Sequence, residues 1–515
     1  MAEENQQTEE QVVESAQTPV EEKKPVNKVD AWFGITRSGS SFKTEIVAGL
    51  TTFMAMVYIL MVNAGMFSGI ITGSEDPYGA AYIATAIGAI VGTMLMALYA
   101  KMPLAQASGM GINAFICFSL VNVASGLTYA NSMVFTLIDG VIFVILTVTG
   151  LRQKIFAAIP AGVRHAIPVG IGLFIAFIGM QNAGIIVDDP STLVEFVSFN
   201  VLNSANSFMT YNAGTVGGML PALVAILGVI AIAIMAKKGV KGAILWGILG
   251  TAVVFYALAG IAYGCGSEGA AGFFGSIGET AKDMNPFGAF AAWGKDSVGA
   301  VFYEGFDFSA YLGIEGNNAG TLVVLIITTA LSLCMIDMFD TIGTLYGACS
   351  KGNLLDENGT PIRMNQMMLA DAVATCTGAI AGTSTVTTFV ESSSGVAAGG
   401  KTGFTSLVTA ICFIIAMFLS PIAQLIPSCA TATALIWVGV LMMASVVKVD
   451  WEDASEAIVA FLTFIVMVLG YSISKGIGFG IISYIIVKVC TGKVKEISIP
   501  TWVIGVIFLA TFILT

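Results

Sequence analysis

The sequence predicts an all-α polytopic membrane protein: fourteen transmembrane segments in two inverted repeats of seven, with short strands in the broken third and tenth segments. Three observations carry that expectation. Of the 515 residues, 56% are hydrophobic and 11% charged, with a mean hydropathy of +0.87, far from the balance of a soluble domain. Apolar stretches long enough to cross a bilayer recur along the whole chain. The basic residues fall almost entirely on one side of the topology those stretches define.

The elements follow in order. Residues 1–30 are polar, lack an apolar signal-peptide core and read as a disordered cytoplasmic tail, so the first helix must direct insertion. The expected segments are 45–67, 80–99, 104–121, 132–149, 163–186, 218–236, 240–263, 322–348, 366–381, 384–397, 402–420, 431–447, 456–472 and 475–491. The apolar tail 499–515 reads either as an interfacial segment or as a fifteenth membrane segment. With the N-terminus cytoplasmic, all of the 22 Lys and Arg residues except Lys282, Lys295 and Lys475 face the cytoplasm, including Arg152, Lys154, Lys241, Lys351 and Lys401. Both termini are then cytoplasmic. Omitting any early segment would reverse every later cluster.

Seven segments per half force the halves into opposite orientations. The third segment is interrupted by Gly109–Gly111, and the tenth is short and rich in hydroxyls. Two discontinuous segments in matching places are the arrangement that builds a midplane substrate site. In each, an extended piece leads into a half-helix whose first amides lack intrahelical acceptors. The alternation in Ser384–Phe389 fits a strand, and Glu391 falls where the half-helix dipole favours an acid.

Intramembrane carboxylates cost about 2.5 kcal/mol or more each and mark ion, proton or substrate sites. Asp337 and Asp340 lie three residues apart on the eighth segment, Asp371 lies on the ninth and Glu391 on the tenth. The alternative for each is a structural carboxylate bonded to neighbouring helix ends. The eight cysteines are scattered without a CxxC pair, so neither a metal site nor a disulfide framework is indicated, and no cofactor is expected. His165, at the start of the fifth segment, reads as a surface residue. Lys351–Asn365 lacks EF-hand spacing. Gly395–Thr402 (GVAAGGKT) matches the phosphate-loop pattern literally but joins two membrane segments, not a strand and helix of a soluble α/β domain. A channel or anion exchanger would favour a deep basic residue, and an enzyme would need a nucleophile–base pair or metal ligands. Neither pattern is found here.

The stretches Glu45–Ser68, ASGMGINAFICF, Gly170–Val187, FDTIGTLYGACSKGNLLDENG, GTSTVTTFVESSSGVAAGGKTG and ATALIWVGVLMM, in order from about residue 31 to the end, resemble the AzgA-like adenine/guanine/hypoxanthine permease branch of the nucleobase/cation symporter-2 family. The resemblance implies a fold like that of uracil permease. A core domain would comprise 31–150 and 322–420, a gate domain 151–263 and 421–492, with an extracytoplasmic loop at 264–321 and an apolar tail at 493–515. Substrate would lie between core and gate. The resemblance also implies that Asp340 and Glu391 are acidic binding positions, Asn113 a polar position affecting binding or its geometry, and Asp337 a second acidic position. A neutral oxopurine offers ring N–H donors that a carboxylate accepts, with half-helix amides as donors to the base. Thr388 completes the expected polar contacts. Phe115, Phe339 and Phe389 are available for stacking, Phe115 favoured because it neighbours Asn113.

Asp340, Asp337 and Asp371 are the candidates for carrying a coupling proton. A sodium site, drawing on the hydroxyls of the tenth segment, stays open, although the resemblance points to protons. The expected partners are a purine nucleobase, a proton, the lipid bilayer of the cell membrane and a second copy in a homodimer, with no nucleic acid.

Overall fold

The computed structural model describes residues 26–121, 126–151, 159–200, 207–212, 215–282, 285–357 and 359–514. The expected disordered tail up to residue 25, and Arg152 and Lys154, lie outside them. Helices dominate, and their starts are written in the sequence. Ser41, Asp76, Thr128, Asn318, Thr402, Asp453 and Ser472 each accept a first-turn amide of the helix that follows. Thr128 and Asn318 complete reciprocal capping boxes.

Among the described residues, ten helices are long and apolar enough to cross a membrane, and Met110–Leu120, Ala454–Leu469 and Ile499–Ile513 are shorter apolar helices. Of the fourteen expected segments, the third and thirteenth fall in that shorter class. The ninth, Met364–Ala381, is diluted by Asn365, Gln366 and Asp371, and the tenth ends in the six-residue helix Ser392–Ala397.

Among the described residues, six strands form three antiparallel pairs: β1 (Gln106–Ser108) with β6 (Val386–Thr388), β2 (Ile186–Asp189) with β3 (Leu193–Phe196), and β4 (Thr210–Asn212) with β5 (Thr215–Gly217). The β1–β6 pair joins the third segment to the tenth, with Gln106 opposite Thr388 and Ser108 opposite Val386. Backbone polar groups at that depth need partners within the protein, and each strand supplies them to the other.

Three expectations change. The fifth segment stops at Asn182, not at 186: Gly184 takes a positive φ of 68°, and the chain turns into the β2–β3 hairpin. The stretch 264–321 is no simple loop; Glu268–Lys282, Pro286–Asp296, Ala300–Tyr303 and Ser309–Leu312 are helical. Its buried Ala270, Phe273, Ala289 and Val301 explain why it folds onto the protein. It also closes the end of Met364–Ala381, where Gly299 N donates to Ile380 O (2.8 Å) and Trp293 Nε1 to Ala381 O (2.8 Å). Tyr129 Oη donates to Gly382 O (2.5 Å), and these bonds satisfy carbonyls that a helix end leaves unpaired. Finally, the tail forms the helix Ile499–Leu514, which packs against Ile473–Cys490 and Ala319–Lys351 with Phe508 buried.

The long helices pack in two groups, each drawing on both halves of the chain. In one, Gly403–Ala416 packs on Phe42–Met56 and Pro77–Leu95, while Met364–Ala381 packs on Pro77–Leu95 and Tyr129–Val148. In the other, Ala161–Asn182 packs on Ser428–Met442 and Ala454–Leu469, and Met219–Lys237 on Ala243–Gly264 and Ser428–Met442.

Candidate functional site

A cavity of about 770 Å³ is lined from both groups, a size within the roughly 300–1,000 Å³ of small-molecule sites. Two carboxylates reach its wall, Asp340 from Ala319–Lys351 and Glu391 from the turn between β6 and Ser392–Ala397. Phe339, Phe389 and Thr388 line it with them. Glu391 is 8% exposed, and its Oε1 accepts a 2.6 Å hydrogen bond from Tyr58 Oη. Tyr58, from the first segment, is itself on the wall and its hydroxyl also touches Met110 Sδ at 3.5 Å. A charge-assisted bond of this length fixes the carboxylate's orientation and leaves Oε2 for another donor.

The expected donors are arranged differently. Around Glu391, the amides of Ser392, Ser393 and Ser394 are consumed by the carbonyls of Phe389, Val390 and Glu391. Thr388 N donates to Asp371 Oδ1 (3.1 Å). Amides remain at the other broken segment, where Met110 and Gly111 line the cavity in the first helical turn after Gly109.

Behind the wall lies a polar zip. Asp371, fully buried, accepts from Gln106 Nε2 (3.3 Å) and from Thr341 Oγ1 (2.7 Å). Thr341 Oγ1 lies 2.8 Å from Thr387 Oγ1 and 3.4 Å from Asp337 Oδ1. Asp371 therefore ties the eighth and ninth segments to both crossed strands. Asp337, also fully buried, is off the cavity although Asp340, three residues on, is part of it.

Two expected cavity residues are elsewhere. Asn113 is fully buried, accepting from Ser108 Oγ (2.9 Å) and Ser384 Oγ. Thr383 Oγ1 donates to the same Ser108, and Asn63 Nδ2 reaches Thr85, Ser108 and Thr383. Asn113 is thus a latch between the third and tenth segments. Phe115, on the turn after Asn113, packs in the apolar core and not on the cavity wall. Its neighbourhood to Asn113 in sequence misleads because neither side chain reaches the cavity. His165 is partly buried and does not line the cavity.

Other residues escaped the sequence reading. Tyr58 and Gln106 are polar side chains within apolar stretches, a signal that could have marked both. Asp139 is a fully buried carboxylate of the fourth segment. Glu45 is fully buried and accepts from Lys401 N (3.0 Å), Thr402 N (3.3 Å), Thr402 Oγ1 (2.9 Å) and Thr405 Oγ1 (2.6 Å). The amides of Lys401 and Thr402, at the end of GVAAGGKT, are therefore occupied by the protein's own carboxylate and not open to a phosphate.

The Xan_ur_permease family model, described as Permease family, matches residues 43–479. The guanine/hypoxanthine permease PbuO of Bacillus subtilis is 36% identical, across 92% of this chain and 98% of that protein. The adenine permease AdeP of Escherichia coli is 34% identical, across 93% and 94%. The putative permease MJ0326 of Methanocaldococcus jannaschii is 37% identical, across 94% and 98%. Among solved structures, the transmembrane domain of the cyanobacterial bicarbonate transporter BicA aligns with a TM-score of 0.53 at 14% identity, covering 84% of this chain and 96% of that one. The murine anion transporter Slc26a9 in its inward-facing state aligns at 0.56 and 12%, covering 92% and 74%. These two likenesses show the fold alone. The sequence matches run nearly end to end at an identity that establishes common descent, so the chain belongs to the nucleobase/cation symporter-2 permease family and is a multi-pass membrane transporter, not an enzyme.

Proposed function

We propose that this protein is a secondary active transporter that takes up purine nucleobases across the cell membrane, coupled to protons, with its site alternately facing each side. The observation that carries this reading is the pair of carboxylates, Asp340 and Glu391, on one cavity wall beside Phe339 and Phe389. The ring N–H groups of an oxopurine donate to Glu391 Oε2 and Asp340, its carbonyl accepts from the Met110 and Gly111 amides, and a phenylalanine stacks on its face. The names of the relatives PbuO and AdeP support a purine as cargo.

Proton coupling is supported by the chain Asp337–Thr341–Asp371 behind Asp340, a relay of the kind intramembrane carboxylates form. On this reading the chain crosses fourteen times with both termini cytoplasmic. The core (31–150, 322–420) and gate (151–263, 421–492) rock as bodies around the site, and the protein works as a homodimer.

The test is uptake of labelled guanine, hypoxanthine, adenine, xanthine and uracil into proteoliposomes, with proton and sodium gradients imposed separately. Purine accumulation driven by the proton gradient alone supports the reading. Accumulation under sodium alone replaces the coupling ion, and no accumulation of any base removes the cargo.

A further inference from the structure

Beyond the base itself, the cavity carries a second chemistry. Its charged wall residues are the acids Asp340 and Glu391 and the lysines Lys241, Lys351 and Lys448, with no further carboxylate on the described wall. From Asp340 to Lys351 the helix Ala319–Lys351 rises about 16 Å, at roughly 1.5 Å per residue. The whole cavity is several times larger than one fused-ring base. The three lysines come from three elements. Lys351 ends its helix and donates to Ser393 Oγ (3.2 Å) on the half-helix that follows Glu391, Lys241 sits in the turn before Ala243–Gly264, and Lys448 ends Ser428–Lys448. A general excess of cytoplasmic lysine would not require three of them to share one cavity wall with the acidic site.

Resting on the proposed purine site, we propose that this cavity also binds purine nucleoside 5′-monophosphates from the lysine side as inhibitors, the base toward Glu391 and Asp340 and the phosphate among Lys241, Lys351 and Lys448. Ammonium groups lining one cavity attract an incoming phosphate, and lysine binds phosphate as a point charge on a flexible stem. Lys351 ends Ala319–Lys351, which packs on Tyr129–Val148 of the first group, whereas Lys241 precedes Ala243–Gly264 and Lys448 follows Ser428–Met442, both of the second. A phosphate held among them bridges the groups and holds the cavity open to that side, so the nucleotide blocks exchange and is not carried. The ligand is the class of product that phosphoribosyl transfer makes from an imported base, so the site would let product restrain further entry.

The test is equilibrium binding of a labelled purine base to the purified full-length protein, with GMP, IMP, AMP, the matching nucleosides, inorganic phosphate and phosphatidylglycerol vesicles as competitors. The expected result is that a nucleotide displaces the base at a concentration at least about tenfold lower than its nucleoside. In K241Q/K351Q/K448Q that advantage disappears while base binding is kept, and Lys351→Gln alone reduces it. Base binding without a nucleotide advantage overturns this inference and leaves the proposed function standing. Displacement by phosphate or vesicles as readily as by nucleotide also overturns it, assigning the lysines to general anion or lipid contact. Failure of the wild type to bind any purine overturns the proposed function and this inference with it.

Discussion

The third and tenth segments are built alike and do different work. Each begins with a three-residue strand, pairs with the other, and turns into a helix. The third carries no charge, and its polar side chains Gln106, Ser108 and Asn113 point into the crossing. The tenth spends Ser384 and Thr387 on the same crossing but brings Glu391 to the cavity. One strand pair thus separates two tasks, the third segment holding the geometry and the tenth presenting the acid. Substitutions on the two sides should fail in different ways.

The largest expected effect is that of Glu391→Gln. It replaces an anionic acceptor by an amide of similar shape, and purine uptake should fall at least about 100-fold while the protein keeps its elution profile and melting temperature. Next comes Asn113→Ala, which removes the acceptor that the buried Ser108 and Ser384 hydroxyls share and leaves one of that pair without an acceptor, at about 1–3 kcal/mol. A clear drop in melting temperature in detergent, with uptake lost in proportion to folded protein, would mark it as a latch. A fully stable Asn113→Ala with a selectively raised KM would return Asn113 to the binding surface. Tyr58→Phe removes the hydroxyl donor that orients Glu391, so KM should rise several-fold in protein that still folds. The smallest effect is that of Phe115→Leu. Because Phe115 is core and off the cavity, substrate preference should stay as in wild type, whereas Phe389→Leu should weaken purine binding measurably.

Much of this arrangement was legible beforehand because its signals are local. The glycine break at Gly109–Gly111 and the hydroxyl-rich run of the tenth announce the two discontinuous segments. Acids in apolar stretches announce Asp340 and Glu391 as residues that need a reason. The direction of a side chain within a crossing was not legible. Asn113 and Phe115 lie beside the cavity in sequence but face away from it, and Asp337 and Asp340 differ by one turn yet only Asp340 reaches the wall. Tyr58 meets Glu391 across 333 positions, a pairing that only the packing of the first segment against the tenth creates. The helical fold of 264–321 escaped notice because its apolar residues are too interspersed with glycine and charge to read as a segment.

In the proposed function, a carboxylate delivered by the tenth segment receives the purine. Its most direct test is equilibrium binding of labelled guanine and adenine to purified wild type and Glu391→Gln, with folding of both checked by melting temperature. The expected result is saturable binding of at least one base to the wild type and none to a Glu391→Gln protein that melts at the same temperature. Equal binding to both proteins would contradict it and move the purine site away from the crossing.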